Sequence, residues 1–548
     1  MTTEKDNGMA LATSPAQVID RIVKPGFLPG SIVREKTNKT LIDSSWDLGI
    51  DPLKSRFELG TDVREAIEES YIYDWSMKMK DVSVQSKEAG DILWGRVQGT
   101  IYEHMAFELI EQELKSLELD EVHYEKYPCQ YPQWRPTTCD IEVMSAPNLE
   151  DGDTYKFSSG LTTTISKLTP KGGAVGELIY VGEGSASELR GRDLEGKIVL
   201  LRGKTMPSAV LNSARVAFSR IATGKYGEPQ AVIVWWDTPV ADQVGGRVGA
   251  PGGGDIIGAL LPWITIGDDD GLYLRKMLDN AEDGIVKIRV DIQGQEERDR
   301  MSGNVWAKLE GKQDKYIIIP AHVDCFMYGV HDNGTSIAMN LALAKYYAAL
   351  DKSEREYGII FMFQGDHEVP GLGNTKNWAI ENQEWLEDRM LMILRPEHVG
   401  MIMEADEGAL RFKSNVTVPA MLHISNQSPV LSEIFRDTIN QYQLPTSTRA
   451  FRDPSADEMA FYPPHTNFKK QPISAGWITG GKYYHSTADV QLDLICFESV
   501  TRFARAHAYI IDRVGMFSED QLRDQSNYVV PGESIYSSDA MLLALGGW

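Results

Sequence analysis

Residues 316–324 read YIIIPAHVD, 334–350 GTSIAMNLALAKYYAAL, 356–366 EYGIIFMFQGD and 391–406 LMILRPEHVGMIMEAD. Three of these are short apolar runs that stop abruptly at polar residues, and the second is long enough for a buried helix. Strands alternating with helices of this length predict an α/β fold with a mostly parallel mixed sheet flanked by helices. In such sheets ligands gather at the carboxyl ends of the strands.

The ends of these runs hold the chemistry. YIIIP closes in AHVDC, which places His322 and Asp324 two residues apart and on the same side of an extended chain. A carboxylate there can fix the tautomer of an imidazole ligand. Asp332, in GVHDNGTS, precedes the helix and is either its N-cap or a ligand, and the nearby His322 favours the ligand. Asp366, His367 and Glu368 end the strand IIFMF, where three successive polar residues do not suit core filling. Asp406 ends the apolar stretch MIMEAD, and His485 lies in the polar loop GGKYYHSTAD after WITG.

Any one of these residues suits a structural role; a series at successive strand ends predicts a metal centre. Imidazole and carboxylate without thiolate suit Zn, Mn or Co and argue against a structural cysteine-rich zinc site. Two divalent ions carry four positive charges, and three carboxylates return three. Such a site readily generates a nucleophile from water at neutral pH.

Working outward, residues 64–82, REAIEESYIYDWSMKMKDV, have the spacing of an amphipathic helix within an N-terminal extension assigned to 1–92. Residues 95–119, GRVQGTIYEHMAFELIEQELKSLEL, predict a second helix, followed by the strand VHYEKYP at 122–128. The catalytic unit is assigned to 93–160 and 296–515. Between them GELIYVG, KIVLLRG, AVIVWW and ITIG are short β-rich runs with glycine-rich turns, assigned to an insert over 161–295. Residues 516–548 form a C-terminal arm whose apolar end invites a homo-oligomer contact.

The chain of 548 residues is 42% hydrophobic and 24% charged, with a formal net charge of −24. The length predicts more than one folded unit, and the charge disfavours nucleic acid as a partner. Four cysteines without a CxxC pair suit a reducing compartment. The N-terminus lacks a basic and then apolar leader, and no run approaches 18 apolar residues. The expectation is a cytoplasmic protein with no membrane partner.

The ordered set AHVD, GVHDNGTS, an acidic strand end before GLGN, MEAD and YYHSTAD resembles metallopeptidase family twenty-eight, the aminopeptidase and carboxypeptidase Q branch. The resemblance spans residues 93–515, and the insert is similar to the family's protease-associated domain. It implies that His322 and Asp406 hold one metal, that Glu368 and His485 hold the other, and that Asp332 bridges them. It further implies that Asp324 is the orienting carboxylate and Tyr484 an oxyanion donor.

One departure stands out: where the family carries Glu-Glu, this chain has His367-Glu368, with Pro370 and Asn374 altering the turn that follows. Three readings stay open. His367 is itself the general base; or Asp366 takes the role, or the register slips so that His367 is a ligand and Glu368 the base; or the chain is a non-catalytic binding protein on this scaffold. The expected substrate is a peptide, with a small non-peptide amide or aryl amine as the alternative. The segment 449–468, with Arg452, Asp453, Asp457 and His465, is the candidate substrate wall.

Overall fold

The computed structural model describes residues 60–524 except 130–132, 148, 151–152, 158–159, 163–165, 204–216, 218–219, 237–260, 282–283, 369–372, 408–409, 425–427, 449–459, 462–465, 467, 471 and 480–494; for 236, 403–407, 410–416, 447 and 448 it describes the backbone alone. Two eight-stranded sheets organise it.

The strands, in chain order, are β1 (Glu121–Pro128), β2 (Gln133–Ser145), β3 (Tyr155–Phe157), β4 (Leu161–Thr162), β5 (Ala174–Tyr180), β6 (Ile198–Gly203), β7 (Ala231–Trp236), β8 (Trp263–Ile266) and β9 (Lys287–Glu297). They continue with β10 (Met301–Leu309), β11 (Gln313–His322), β12 (Tyr357–Gln364), β13 (Met390–Glu397), β14 (Ile402–Glu407), β15 (Leu410–Thr417), β16 (Ala420–Ile424), β17 (Thr446–Thr448) and β18 (Ile473–Ile478). The longer helices are α1 (Glu69–Glu88), α2 (Ile101–Ser116), α3 (Asp268–Asn280), α4 (Thr335–Ala348), α5 (Pro429–Tyr442) and α6 (Phe497–Val514).

The central sheet runs β1-β10-β12-β11-β13-β18-β16-β17. Its middle, β12-β11-β13-β18, is parallel, and the flanking pairs β1-β10, β10-β12 and β16-β18 are antiparallel. Alternation along β11 and β12 splits their side chains between two layers. Ile317, Ile319, Ile359, Phe361 and Phe363 join the core under α1, α2, α4, α5 and α6. Tyr316, Ile318, Ile360 and Met362 join a second core with Trp378 and Leu386. Both faces are therefore covered, as the uninterrupted apolar runs require. Trp477 is a core residue, wedged against Phe435 and Phe503.

Residues 69–88, read from sequence as part of an extension, belong to this core. Ile72, Trp75, Met79 and Val82 of α1 are buried in it.

The second sheet runs β3-β2-β9-β5-β6-β7-β8-β4 and is an excursion between β1 and β10. It begins at 133 rather than 161, because β2 pairs along its length with β9 and β3 pairs with β2. β2 carries a weak, mixed pattern (QWRPTTCDIEVMS) that does not say which sheet it joins. Among the described residues no helix is long and apolar enough to cross a membrane.

One buried histidine gives the fold a pH dependence away from the site. His507 on α6 is fully buried, with Nδ1 2.6 Å from the Phe503 carbonyl and its ring edge-on to Trp477. Burial pushes its pKa down to about 4, against the pull of bonds to the Phe503 and Arg395 backbones. The folded value lies below the unfolded one, so the stability is complete above about pH 6.5 and is lost as pH falls towards 4, on the order of 3 kcal/mol. Urea unfolding of wild type and His507→Asn should differ most near pH 7, with the gap closing towards pH 4; a gap constant with pH would refute this.

Candidate metal centre

The strand order β12-β11-β13 places three strand ends side by side. His322 is the last residue of β11, opposite Gln364 at the end of β12, and Glu397 is the last residue of β13. The chain leaving β12 carries Glu368 to one side of His322, and the chain leaving β13 carries Glu397 and His398 to the other.

His322 is oriented for ligation. Its Nδ1 lies 2.9 Å from the Asp324 carbonyl oxygen, so Nδ1–H donates and Nε2 keeps its lone pair. That Nε2 is 3.1 Å from Asp332 Oδ1. The Asp324 carboxylate does not perform the orienting role expected of it, since Oδ1 stays 4.0 Å from Nδ1. Instead Oδ2 accepts the backbone N–H groups of His367 at 2.9 Å and Glu368 at 2.8 Å. Asp324 positions the imidazole through its main chain and the ligand loop through its side chain.

Asp332 does not cap α4, whose N-cap residue is Gly334 with no side-chain cap bond. Its carboxylate turns inward, where Oδ1 also meets His398 Nε2 at 2.5 Å. Ligand atoms of His322, Asp332 and Glu368 lie within 4.8 Å of one another, and so do those of His322, Glu397 and His398. All five residues are buried. His367 is buried too, its ring stacked on His322 with centroids 4.2 Å apart and planes 16° from parallel.

The electrostatics favour cations. Asp324, Asp332, Asp366, Glu368 and Glu397 are all buried around these imidazoles, and Arg395 pairs with Glu397 at 2.9 Å. Burial pushes the Asp324 carboxyl up to about 7, with His322 and two amides opposing and Glu368 adding. Burial lowers the His398 imidazole, but the Asp332 and Glu397 carboxylates raise it further, to about 9. A cluster this rich in buried carboxylate needs positive charge within it. Its oxygen and imidazole donors fit divalent zinc, manganese or cobalt.

Two backbone features hold the loops. Asp366 (φ 58°) and His398 (φ 50°) adopt the left-handed conformation, which non-glycine residues keep only when the surroundings enforce it. The His398 carbonyl receives His331 Nε2–H at 2.7 Å and the Thr479 hydroxyl. Burial drives the His331 pKa down to about 3, with His398 adding, so His331 serves as a neutral donor.

Asp406 is placed differently from the expectation. It lies in the two-stranded β14-β15 ribbon, opposite Arg411, not at the end of a central strand; its side chain is outside the description. MIMEAD is apolar enough to pass for the next parallel strand, but MLMILRPE takes that place. Glu397 and His398 were missed for this reason, although they obey the rule that identified His322: polar residues closing a buried parallel strand. Tyr484, His485, Arg452, Asp453, Asp457 and His465 lie outside the described residues.

Known proteins agree with this architecture. Residues 304–511 match the profile described as Peptidase family M28. The zinc aminopeptidase BSAP from Bacillus subtilis superposes with a TM-score of 0.56 at 16% identity, over 81% of this chain and 95% of that one. The Peptidase M28 precursor from Shewanella amazonensis SB2B gives 0.55 at 17%, over 82% and 97%. An aminopeptidase from Aneurinibacillus sp. strain AM-1 gives 0.50 at 18%, over 82% and 95%. No curated protein matches the chain in sequence. Buried imidazole and carboxylate donors thus stand at the carboxyl edge of this sheet within residues 304–511, the region similar to peptidase family M28, and together they support a metal-dependent hydrolase.

Proposed function

We propose that the protein is an aminopeptidase-like amide hydrolase holding two divalent ions, with zinc favoured by its neighbours. The observation that carries this reading is the pair of donor groups sharing His322. The single lone pair on His322 Nε2 would serve one ion, with Glu397 and His398 beside it; Glu368 would lie towards the other, and Asp332 stands between the two sets. Asp406 and His485 enter this set only by resemblance. When bound, the ions polarise the scissile carbonyl and make water a better nucleophile.

His367 then takes the proton from the attacking water and returns it to the leaving amine, as an imidazole with an intrinsic pKa near 6.5 can do. Its stack on His322 keeps it beside the ligand set. Asp324 holds the amides of His367 and Glu368, which fixes both side chains relative to the strand end. Tyr484 is assigned to the oxyanion by resemblance alone. The second sheet is read as the protease-associated insert. Histidine in the base position also favours a second reading, a hydrolase of small non-peptide amides or aryl amines.

Elemental mass spectrometry of the purified protein, with assays on aminoacyl arylamides, N-blocked arylamides and short peptides, tests these readings. Two metals per chain and cleavage that needs a free amino terminus are expected. Cleavage of blocked arylamides but not peptides would select the second reading. A protein that stays metal-free after incubation with zinc or manganese would overturn both.

A further inference from the structure

We propose that Glu103 is a positioning residue for the metal-ligand loop, holding the Gly365–Asp366 turn from behind so that Glu368 meets the cation. The proposal rests on the metal-hydrolase reading above. Glu103 lies in the first turn of α2, 263 residues from Asp366, and is fully buried. Its Oε1 accepts the Ser302 hydroxyl at 2.6 Å and the Asp366 N–H at 3.3 Å, and its Oε2 accepts the Gly99 N–H at 2.8 Å.

Those contacts complete a pattern. The N–H of Asp366 is directed at Glu103, and those of His367 and Glu368 at Asp324. Three consecutive amides are thus held by two buried carboxylates, and the first belongs to a residue in the left-handed conformation. The packing is tight. A Cβ on Gly365 would lie 2.1 Å from Glu103 Oε1 and 2.3 Å from Ser302 Oγ, so glycine is what lets the turn approach the carboxylate. A buried glutamate surrounded by donors that include the ligand loop's backbone acts on the loop's geometry, and through it on Glu368. Outer partners of this kind change metal affinity about 10–100-fold when removed.

The test uses the full chain. Glu103→Ala should speed hydrogen exchange at least about tenfold in the metal-free protein over the peptide Ile359–Glu368, and weaken zinc binding, by chelator competition, about 10–100-fold. Glu103→Gln keeps the oxygen facing Asp366 and Ser302 but turns an amide N–H₂ towards Gly99, so it should recover part of both losses. Should Glu103→Ala fail to fold, Glu103→Gln and Ser302→Ala carry the same two measurements. Unchanged exchange, or faster exchange with wild-type zinc affinity, overturns the proposal. A wild-type protein that binds no zinc overturns the hydrolase reading instead, and the metal-free exchange arm still decides whether Glu103 holds the turn.

Discussion

Asp332→Ala should empty the metal centre, taking bound metal from the wild-type content towards none and activity with it. The Asp332 carboxylate is where the two donor groups meet, 3.1 Å from His322 Nε2 and 2.5 Å from His398 Nε2. Removing one charged member of a buried, mutually compensating set costs about 3–5 kcal/mol. On the binding scale that is about two to three and a half decades of affinity. Asp332→Asn should lose nearly as much, because it keeps the shape and loses the charge.

The metal-free protein should also lose stability. Asp332 is the buried partner of His398, whose imidazole it helps keep protonated, and removing one member of a buried pair leaves the other uncompensated, so metal-free Asp332→Ala should melt lower than metal-free wild type. Elemental analysis after dialysis against chelator, with melting curves on the stripped proteins, checks both. A variant that retains the wild-type metal content at wild-type affinity would remove Asp332 from the ligand set.

His367→Ala should lower kcat about 10²–10⁴-fold, the usual contribution of a positioned acid or base, while leaving the metal content near wild type. The combination is diagnostic, because a residue that served as a ligand would lose metal as well. His367→Glu restores the acidic pair of the family. It should keep much of the activity and move the acid limb of kcat/KM to lower pH, since a carboxylate becomes competent as a base above about 4.3 and an imidazole only above about 6.5. A larger loss in Asp366→Ala than in His367→Ala, with metal retained in both, would transfer the base to Asp366. The left-handed backbone at Asp366 and its N–H towards Glu103 place its main chain in the turn.

The sequence alone determined the α/β alternation and the places where His322, Asp332 and Glu368 leave it. Both are local: the period of an apolar run reports its secondary structure, and a buried parallel strand must end where backbone and side chains can be polar again. Only the tertiary structure decided which strand end lies beside β11. By sequence, LRPEH and MEAD are equivalent polar stops after apolar residues. Pairing chose the first, so that Glu397 and His398 stand next to His322 while Asp406 falls in a ribbon. The same holds for Glu103, which in sequence cannot be told from the outward glutamates of α2 and is identified only by a contact with Asp366. Likewise α1 reads as an appendage until its apolar face is seen in the core. Partners so far apart along the chain leave no periodicity or spacing to read, and they meet only when the sheet has assembled.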